Sequence, residues 1–193
     1  MYKLCKTEQS ASRQHELEVG LLAVMNTKRY EEISVSDLCD QLGIPRKAFY
    51  RYFSSKDGAL QALIDHTLMD FEAFAAGPLL TEPRTAQLEL ERFFRFWHHH
   101  KPLLDALERS NISGILIERS ISYAVSGTPM PRRFLPDNDP EVQKQVTVFA
   151  VCGLMSMVLD WHHSGYVSPV ANMARLAVRL VSQPLFQGIS EFF

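Results

Sequence analysis

Between Arg46 and Lys56 (Arg-Lys-Ala-Phe-Tyr-Arg-Tyr-Phe-Ser-Ser-Lys) stand four bases, two tyrosines and no acid. These side chains suit one kind of chemistry. An Arg guanidinium bridges guanine O6 and N7, and a Lys ammonium reaches the same acceptors or a phosphate. Tyr hydroxyls and Lys ammonium groups fix register along a phosphate backbone. Taken singly, each is also what a solvated helix face carries, so their weight depends on the elements that hold them.

Those elements are readable from spacing. Ser34 precedes a periodic apolar stretch and Asp37 comes three residues later, the pattern of a capping box. Leu38 and Leu42 are the inward positions of this short helix. Gly43 ends it, since a Gly just past a helix takes the left-handed conformation that closes the turn. Pro45 opens the next helix, where a missing N–H costs nothing. Phe49 and Phe53 point inward, four residues apart, which leaves the basic and aromatic residues on the other side. Two short helices joined by a tight turn, the second with such a face, are how a protein places a helix in the DNA major groove. Ser54 and Asp57 repeat the capping pattern for a longer helix.

The charge balance agrees. The formal net charge of the 193 residues is −2, which excludes bulk polyanion binding. Residues 1–60 carry nine Lys/Arg against eight Asp/Glu, and the remainder eleven against fourteen. A local basic patch on a nearly neutral chain fits sequence-tuned DNA binding.

Helical periodicity runs through the rest of the chain. A first helix is expected over about residues 10–28, with Leu17, Gly20, Leu21, Val24 and Met25 on one face. The helix after Ser54 carries Leu60, Leu63, Ile64, Thr67, Leu68, Phe71 and Phe74. Residues 77–84 read as a linker by Pro and Gly content. Ala86, Leu90, Phe93, Phe94 and Trp97 stripe a fifth helix. Pro102 marks a break before a short helix to about Arg109, and an apolar helix is expected over residues 111–123. Residues 126–140 hold four prolines and form the longest loop. Two long helices come next, over about residues 140–163 and 168–183. No stretch alternates with period two. The fold class is all-α, divided into a helix-turn-helix DNA-binding domain at residues 1–57 and a helical regulatory and dimerisation domain at residues 58–193.

The helix ending at His163 is apolar almost all round and must be covered on two sides. Its longest uncharged run, Gln145 to Leu159, is 15 residues, short of the roughly 18 expected of a membrane span, so it reads as a buried helix. A partner subunit is the natural cover.

Three cysteines with no CxxC spacing (Cys5, Cys39, Cys152) read as reduced thiols rather than a disulfide framework. No signal peptide is visible, because residues 1–12 are polar and charged. His98-His99-His100 and His162-His163 invite a metal, but adjacent helical residues diverge by about 100° and do not chelate together as i, i+4 pairs do. No metal and no cofactor are expected. Nor is catalysis: there is no Gly-rich phosphate loop, GxSxG or HExxH, and Asp160 near His162 and His163 lacks a nucleophile.

Ile33-Ser34-Val35, Asp37-Leu38-Cys39, Leu42-Gly43-Ile44, Phe49-Tyr50-Arg51-Tyr52-Phe53 and Lys56 together resemble the N-terminal DNA-binding region of the TetR family of transcriptional regulators. The resemblance covers about residues 10–63. Beyond it only the general plan matches, with a hint in Trp161-x-x-x-Gly165, Ser168-Pro169 and Met173-Ala174, which look like the junction of the last two helices in many members.

The resemblance implies a cytoplasmic homodimer that binds double-stranded DNA as a ligand-responsive repressor, with its last two helices forming a four-helix bundle. It implies a recognition helix from Pro45 to Tyr52. Arg46, Lys47 and Ala48 lie where the family meets base edges. Tyr50 and Tyr52 lie where it meets phosphates and bases, and Ser34 and Lys56 at backbone-contact positions. Pro45 departs from the polar residue usual there, and Arg46-Lys47 is a more basic start than many members have. A small apolar or aromatic ligand would sit near Phe93, Phe94, Trp97, Leu116 and Tyr123. The dimer face would draw on Val151, Met155, Leu159, Met173, Leu176 and Leu180. No membrane partner is implied. The competing reading is a helical ligand-binding or adaptor protein that no longer binds DNA, and the Arg46–Lys56 segment argues against it.

Overall fold

A computed structural model describes residues 2, 3, 5, 7–76, 85–126 and 139–182. The linker read at residues 77–84 and residues 127–138 of the long loop lie outside the described residues. The elements are α1 (Glu8–Met25), a 3-10 turn (Tyr30–Glu32), α2 (Val35–Gln41), α3 (Arg46–Tyr52), α4 (Lys56–Ala76), α5 (Ala86–His99), α6 (Lys101–Arg109), α7 (Gly114–Ser126), α8 (Pro140–His163) and α9 (Val170–Ser182). Among the described residues the fold is helical throughout, apart from one isolated β-bridge between Tyr2 and Phe53.

By contact the chain divides into two compact units, Met1–Asp70 with Lys101–Tyr123, and Phe71–His100 with Ala124–Phe193. By contact, residues 58–70, α6 and most of α7 group with residues 1–57.

In the first unit Leu21, Met25, Leu38, Phe49, Phe53, Ile64, Leu104, Leu107 and Leu116 are fully buried. Each comes from an apolar stripe of its helix, and burial of such side chains stabilises by roughly 1.5–3 kcal/mol apiece. Gly20 on α1 makes room for α2, since a Cβ there would stand 2.5 Å from the Leu42 side chain. A buried polar network crosses the same core. The Glu18 carboxylate is fully enclosed and its Oε2 lies 2.9 Å from His66 Nδ1. Asp65 accepts hydrogen bonds from the Tyr2 hydroxyl and the Arg119 guanidinium.

In the second unit α9 packs along α5, with Gln87 Nε2 donating to the Ala171 carbonyl at 3.2 Å. Phe94, Phe96 and Trp97 of α5, Met155, Val158 and Trp161 of α8, and Met173, Ala174 and Ala177 of α9 are buried. Trp161 sits edge-on to Phe94, ring centroids 5.7 Å apart, and its indole N–H donates to the Ser168 carbonyl at 2.8 Å. The α8–α9 junction read from Trp161, Gly165 and Ser168 thus has a concrete basis.

Two dimer-face expectations change here. Met155 and Met173 are 2% and 8% exposed and belong to the unit's own core. They fall on the inward side of α8 and α9, where Trp161 and Phe94 also point. The outward side carries Phe149, 64% exposed, with Leu176 at 45% and Leu180 at 40%. Val151 and Leu159 are half-buried. Nor is α8 a buried helix within its own chain. An 18-residue window of this 24-residue helix has a mean hydropathy of 1.5, apolar enough to cross a membrane by length and composition, and 17% of that window is buried.

Candidate nucleic-acid interface

The site begins with the end of α2. Gly43 has φ +63° and accordingly comes just after the cap residue Leu42. Its N–H donates to the Asp40 carbonyl at 3.2 Å, and the Ile44 N–H donates to the Cys39 carbonyl at 2.9 Å. These two bonds are a Schellman motif, and they turn the chain sharply into α3. At the other end of α2, Ser34 Oγ accepts from the Asp37 N–H at 3.0 Å and the Asp37 carboxylate accepts from the Ser34 N–H at 3.1 Å, so the capping box forms as expected. These bonds from Ser34 hold the Asp37 carboxyl below its ordinary range.

Helix α3 starts at Arg46, with Pro45 as its cap residue rather than its first helical one. Phe49 and Phe53 are wholly buried, ring centroids 5.2 Å apart, and they fix the rotation of α3. That rotation exposes Arg46, Lys47, Tyr50 and Arg51, while Ala48 and Tyr52 are half-buried. The Arg46 guanidinium lies over the Tyr50 ring, 5.9 Å from its centroid. Such contact orders a long cation without neutralising it. Lys47 and Arg51 are one helical turn apart and share a face. Arg51, one of the four bases of this segment, has no contact role by the resemblance; its i, i+4 relation to Lys47 is the signal that marks it.

Two sequence-derived contact residues are committed elsewhere. The Ser34 hydroxyl donates to the Asp37 carboxylate at 2.7 Å, so neither its O–H nor its N–H is free for a phosphate. Lys56 is turned inward. Its ammonium donates to the Tyr30 carbonyl at 2.5 Å and the Ile33 carbonyl at 2.6 Å, and stands 4.1 Å from the Tyr30 ring centroid. Burial lowers its pKa. Tyr30 is tied down further: its N–H donates to Ser110 Oγ at 2.9 Å and its hydroxyl to Asp57 at 2.6 Å. Burial, with that carboxylate, pushes the Tyr30 hydroxyl pKa well up. Lys56 thus ties the connector before α2 to the start of α4. Asp57 accepts from the Tyr30 hydroxyl, and the Ser55 hydroxyl accepts from the Gly58 N–H at 3.1 Å.

The residues read as a ligand pocket divide between the units. Phe93, Phe94 and Trp97 lie in the second, where Phe93 meets Phe71 and Phe94 edge-on at 5.6 and 5.3 Å. Leu116 and Tyr123 lie in the first, Leu116 fully buried and Tyr123 half-buried. The histidines are part of aromatic packing: His100 stacks on Phe96 at 4.1 Å, and His98 meets Tyr166 at 4.7 Å.

Among the described residues, the Schellman-turned pair of short helices with its cationic, aromatic outer face has the form of a helix-turn-helix. Residues 21–63 match the bacterial regulatory proteins of the tetR family. The chain is 50% identical over 52 residues to the HTH-type transcriptional regulator EthR of Mycolicibacterium smegmatis (strain ATCC 700084 / mc(2)155), a match covering 25% of this chain and 24% of that protein. The chain thus aligns with about a quarter of that relative's length. Two solved structures share the fold over nearly the whole chain. A putative transcriptional regulator from Pseudomonas aeruginosa PAO1 superposes with TM-score 0.61 at 14% identity, covering 97% of this chain and 96% of that one. The TetR family repressor AlkX from Dietzia sp. strain DQ12-45-1b gives 0.56 at 16% identity, covering 88% and 93%. At these identities the likeness establishes the fold.

Proposed function

We propose that the chain is a sequence-specific transcriptional repressor that binds a pseudo-palindromic DNA operator as a homodimer. The observation that carries this reading is the outer face of α3, where Arg46, Lys47, Tyr50 and Arg51 stand exposed on a helix whose orientation is fixed by Phe49, Phe53 and the Gly43 turn. Arg46, Lys47 and Ala48 read base edges; Tyr50 and Tyr52 set register on phosphates. Pro45 fixes the helix start. Residues 1–57 act as the reader and residues 58–193 as the regulatory and dimerising part. A reader of chromosomal DNA works in the cytoplasm.

The homodimer rests on the outward apolar side of α8 and α9, with Phe149, Leu176 and Leu180 at its centre and half-buried Val151 and Leu159 at its margin. Two-fold symmetry then sets operator half-sites about one helical turn apart. A small apolar or aromatic ligand acts as inducer. Its support is the ring cluster around Phe93, Phe94 and Trp97, in which the buried Trp97 indole N–H has no acceptor among the described residues. Such a ligand must bind free protein more tightly than operator-bound protein, and operator must weaken ligand binding by the same factor.

Selection of duplexes from a random pool, followed by titration, tests the reading. A palindrome should emerge, and Lys47→Ala should lose about 1–3 kcal/mol on it. Recovery of no preferred sequence would leave the adaptor reading in possession.

A further inference from the structure

A cation that serves a DNA backbone must be exposed, free of internal partners and carried on a fixed stretch of main chain. Lys56 fails the second condition. Lys3 meets all three. The segment before α1 is not loose at this point: the Lys3 N–H donates to the Tyr52 carbonyl at 3.0 Å, and Tyr2 forms an antiparallel bridge with Phe53. Tyr2 anchors it from the inner side. Its hydroxyl donates to Asp65 at 3.0 Å and its ring meets His66 edge-on at 5.6 Å. Burial, with the Asp65 carboxylate, pushes that hydroxyl up to about 12, so it stays a donor at any physiological pH. Successive side chains of an extended strand point to opposite faces. With Tyr2 turned in, Lys3 is turned out, and it is exposed.

Arg51 lies one residue before the Tyr52 carbonyl that holds Lys3. Its side chain is exposed and, like that of Lys3, has no ion-pair partner among the described residues. It also borders a cleft of about 410 Å³ between the start of α1 and the end of α3, lined on the α1 side by Arg13. Arg13 pairs with Glu16 at 2.7 Å and contributes little net charge. Two unpaired cations, Lys3 and Arg51, thus stand on neighbouring backbone at the trailing end of the recognition helix.

We propose that Lys3 and Arg51 form a second, sequence-independent DNA contact, gripping backbone phosphates that flank the base pairs read by the front of α3. This rests on the reading of α3 as the recognition helix and extends its footprint to the segment pinned against Tyr52 and Phe53. The pinned main chain means that little freedom is lost when the ammonium meets a phosphate, which is where preorganisation strengthens binding. The partner is the duplex backbone, so the contact adds affinity and salt dependence and no base preference.

The test uses the full chain, the selected operator and a scrambled duplex of equal length, titrated over a range of salt concentrations. Neutralising one phosphate contact flattens the slope of log K against log salt by about 0.9, hence by about two for both subunits of a dimer. Lys3→Ala and Arg51→Ala should each show that flattening and weaken both duplexes by the same factor. Lys3→Arg should keep the wild-type slope. Lys47→Ala should instead lose more affinity on the operator than on the scrambled duplex. Unchanged slopes and affinities for Lys3→Ala and Arg51→Ala, with Lys47→Ala impaired, overturn the second contact and leave the recognition helix standing. A Lys3→Arg variant as impaired as Lys3→Ala overturns it too, because charge would not be the agent. If all three alanine variants bind as wild type does, the recognition helix itself is misassigned and this inference falls with it.

Discussion

Around Gly43 and around Gly165 the chain closes a helix with the same pair of hydrogen bonds. The Gly165 N–H donates to the His162 carbonyl and the Tyr166 N–H to the Trp161 carbonyl, both at 2.9 Å, as Gly43 and Ile44 do to Asp40 and Cys39. The two turns lead into different helices. After Gly43 comes a short helix whose outer side is cationic and aromatic. After Gly165 comes α9, whose exposed residues include Leu176 and Leu180 beside Arg175 and Arg179. One region presents charge and aromatic rings suited to a polyanion; the other presents exposed apolar side chains, Phe149, Leu176 and Leu180, among polar ones. The two surfaces differ in chemistry, as the proposed division between reading and assembly requires.

The largest effect should come from putting charge on the apolar side. Phe149→Glu or Leu176→Glu places a carboxylate where a subunit interface buries it, and an unpaired buried charge costs several kcal/mol. Light scattering at micromolar concentration should show monomer in place of dimer. Operator affinity should fall by orders of magnitude, since one reader makes half the contacts. If both variants stay dimeric, the interface lies elsewhere.

Lys56→Ala should sharpen the contrast from the reader's side. The substitution strips a charged donor from two carbonyls, and a hydrogen bond to a charged group contributes about 1.5–3 kcal/mol. A lower Tm should result, while the salt slope of DNA binding stays as in wild type. A slope flattened with stability intact would return Lys56 to the phosphate backbone, where the sequence had placed it.

A smaller, pH-dependent effect belongs to the core of the first unit. The hydrogen bond that His66 donates to the Glu18 carboxylate raises its pKa above the ordinary 6.5, against the opposing effect of burial; the Glu18, Asp65 and Asp70 charges add to the rise. His15, 3.9 Å from the same Glu18 oxygen, and the Tyr2 ring also face this group. A histidine whose pKa is raised on folding contributes stability that is complete below its unfolded pKa and lost as pH climbs through the folded one. Wild-type Tm should therefore decline as pH rises from about 6.5 through the raised value, and His66→Gln should remove that decline. Parallel Tm profiles for the two would show that the pair does not titrate in this window.

The reader was legible because its function demands particular residues at particular spacings. A Ser-x-x-Asp cap, a left-handed Gly and two inward Phe four apart leave few alternative folds, and the structure has each of them in place. The errors in this region came from side chains with two possible allegiances. Lys56 and the Ser34 hydroxyl suit a phosphate or a protein carbonyl or carboxylate equally well in sequence, and only the placement of Tyr30 and Asp37 decides. Asn111 shows a related limit. It has φ +53° and sits one residue past the α6 cap, so α7 begins at Gly114 rather than at Asn111. In the second unit, Met155, Met173, Leu176 and Leu180 are all apolar at helical spacing. Core and interface use the same side chains, and the rotation of α8 and α9 sorts them, which no local pattern records. Lys3 was invisible for another reason: nothing near it in sequence announces the strand pairing with Tyr52 and Phe53.

The central claim is that α3 reads sequence. Its most direct measurement is the ratio of dissociation constants for the selected palindrome and a scrambled duplex at one fixed, near-physiological salt concentration, for wild type and Lys47→Ala. Specific sites are typically bound about 10³–10⁷ times more tightly than non-specific DNA. A wild-type ratio in that range, cut by Lys47→Ala by a factor on the order of ten or more, is the result this account predicts. A ratio near one for the wild type, or one that Lys47→Ala leaves untouched, would contradict it.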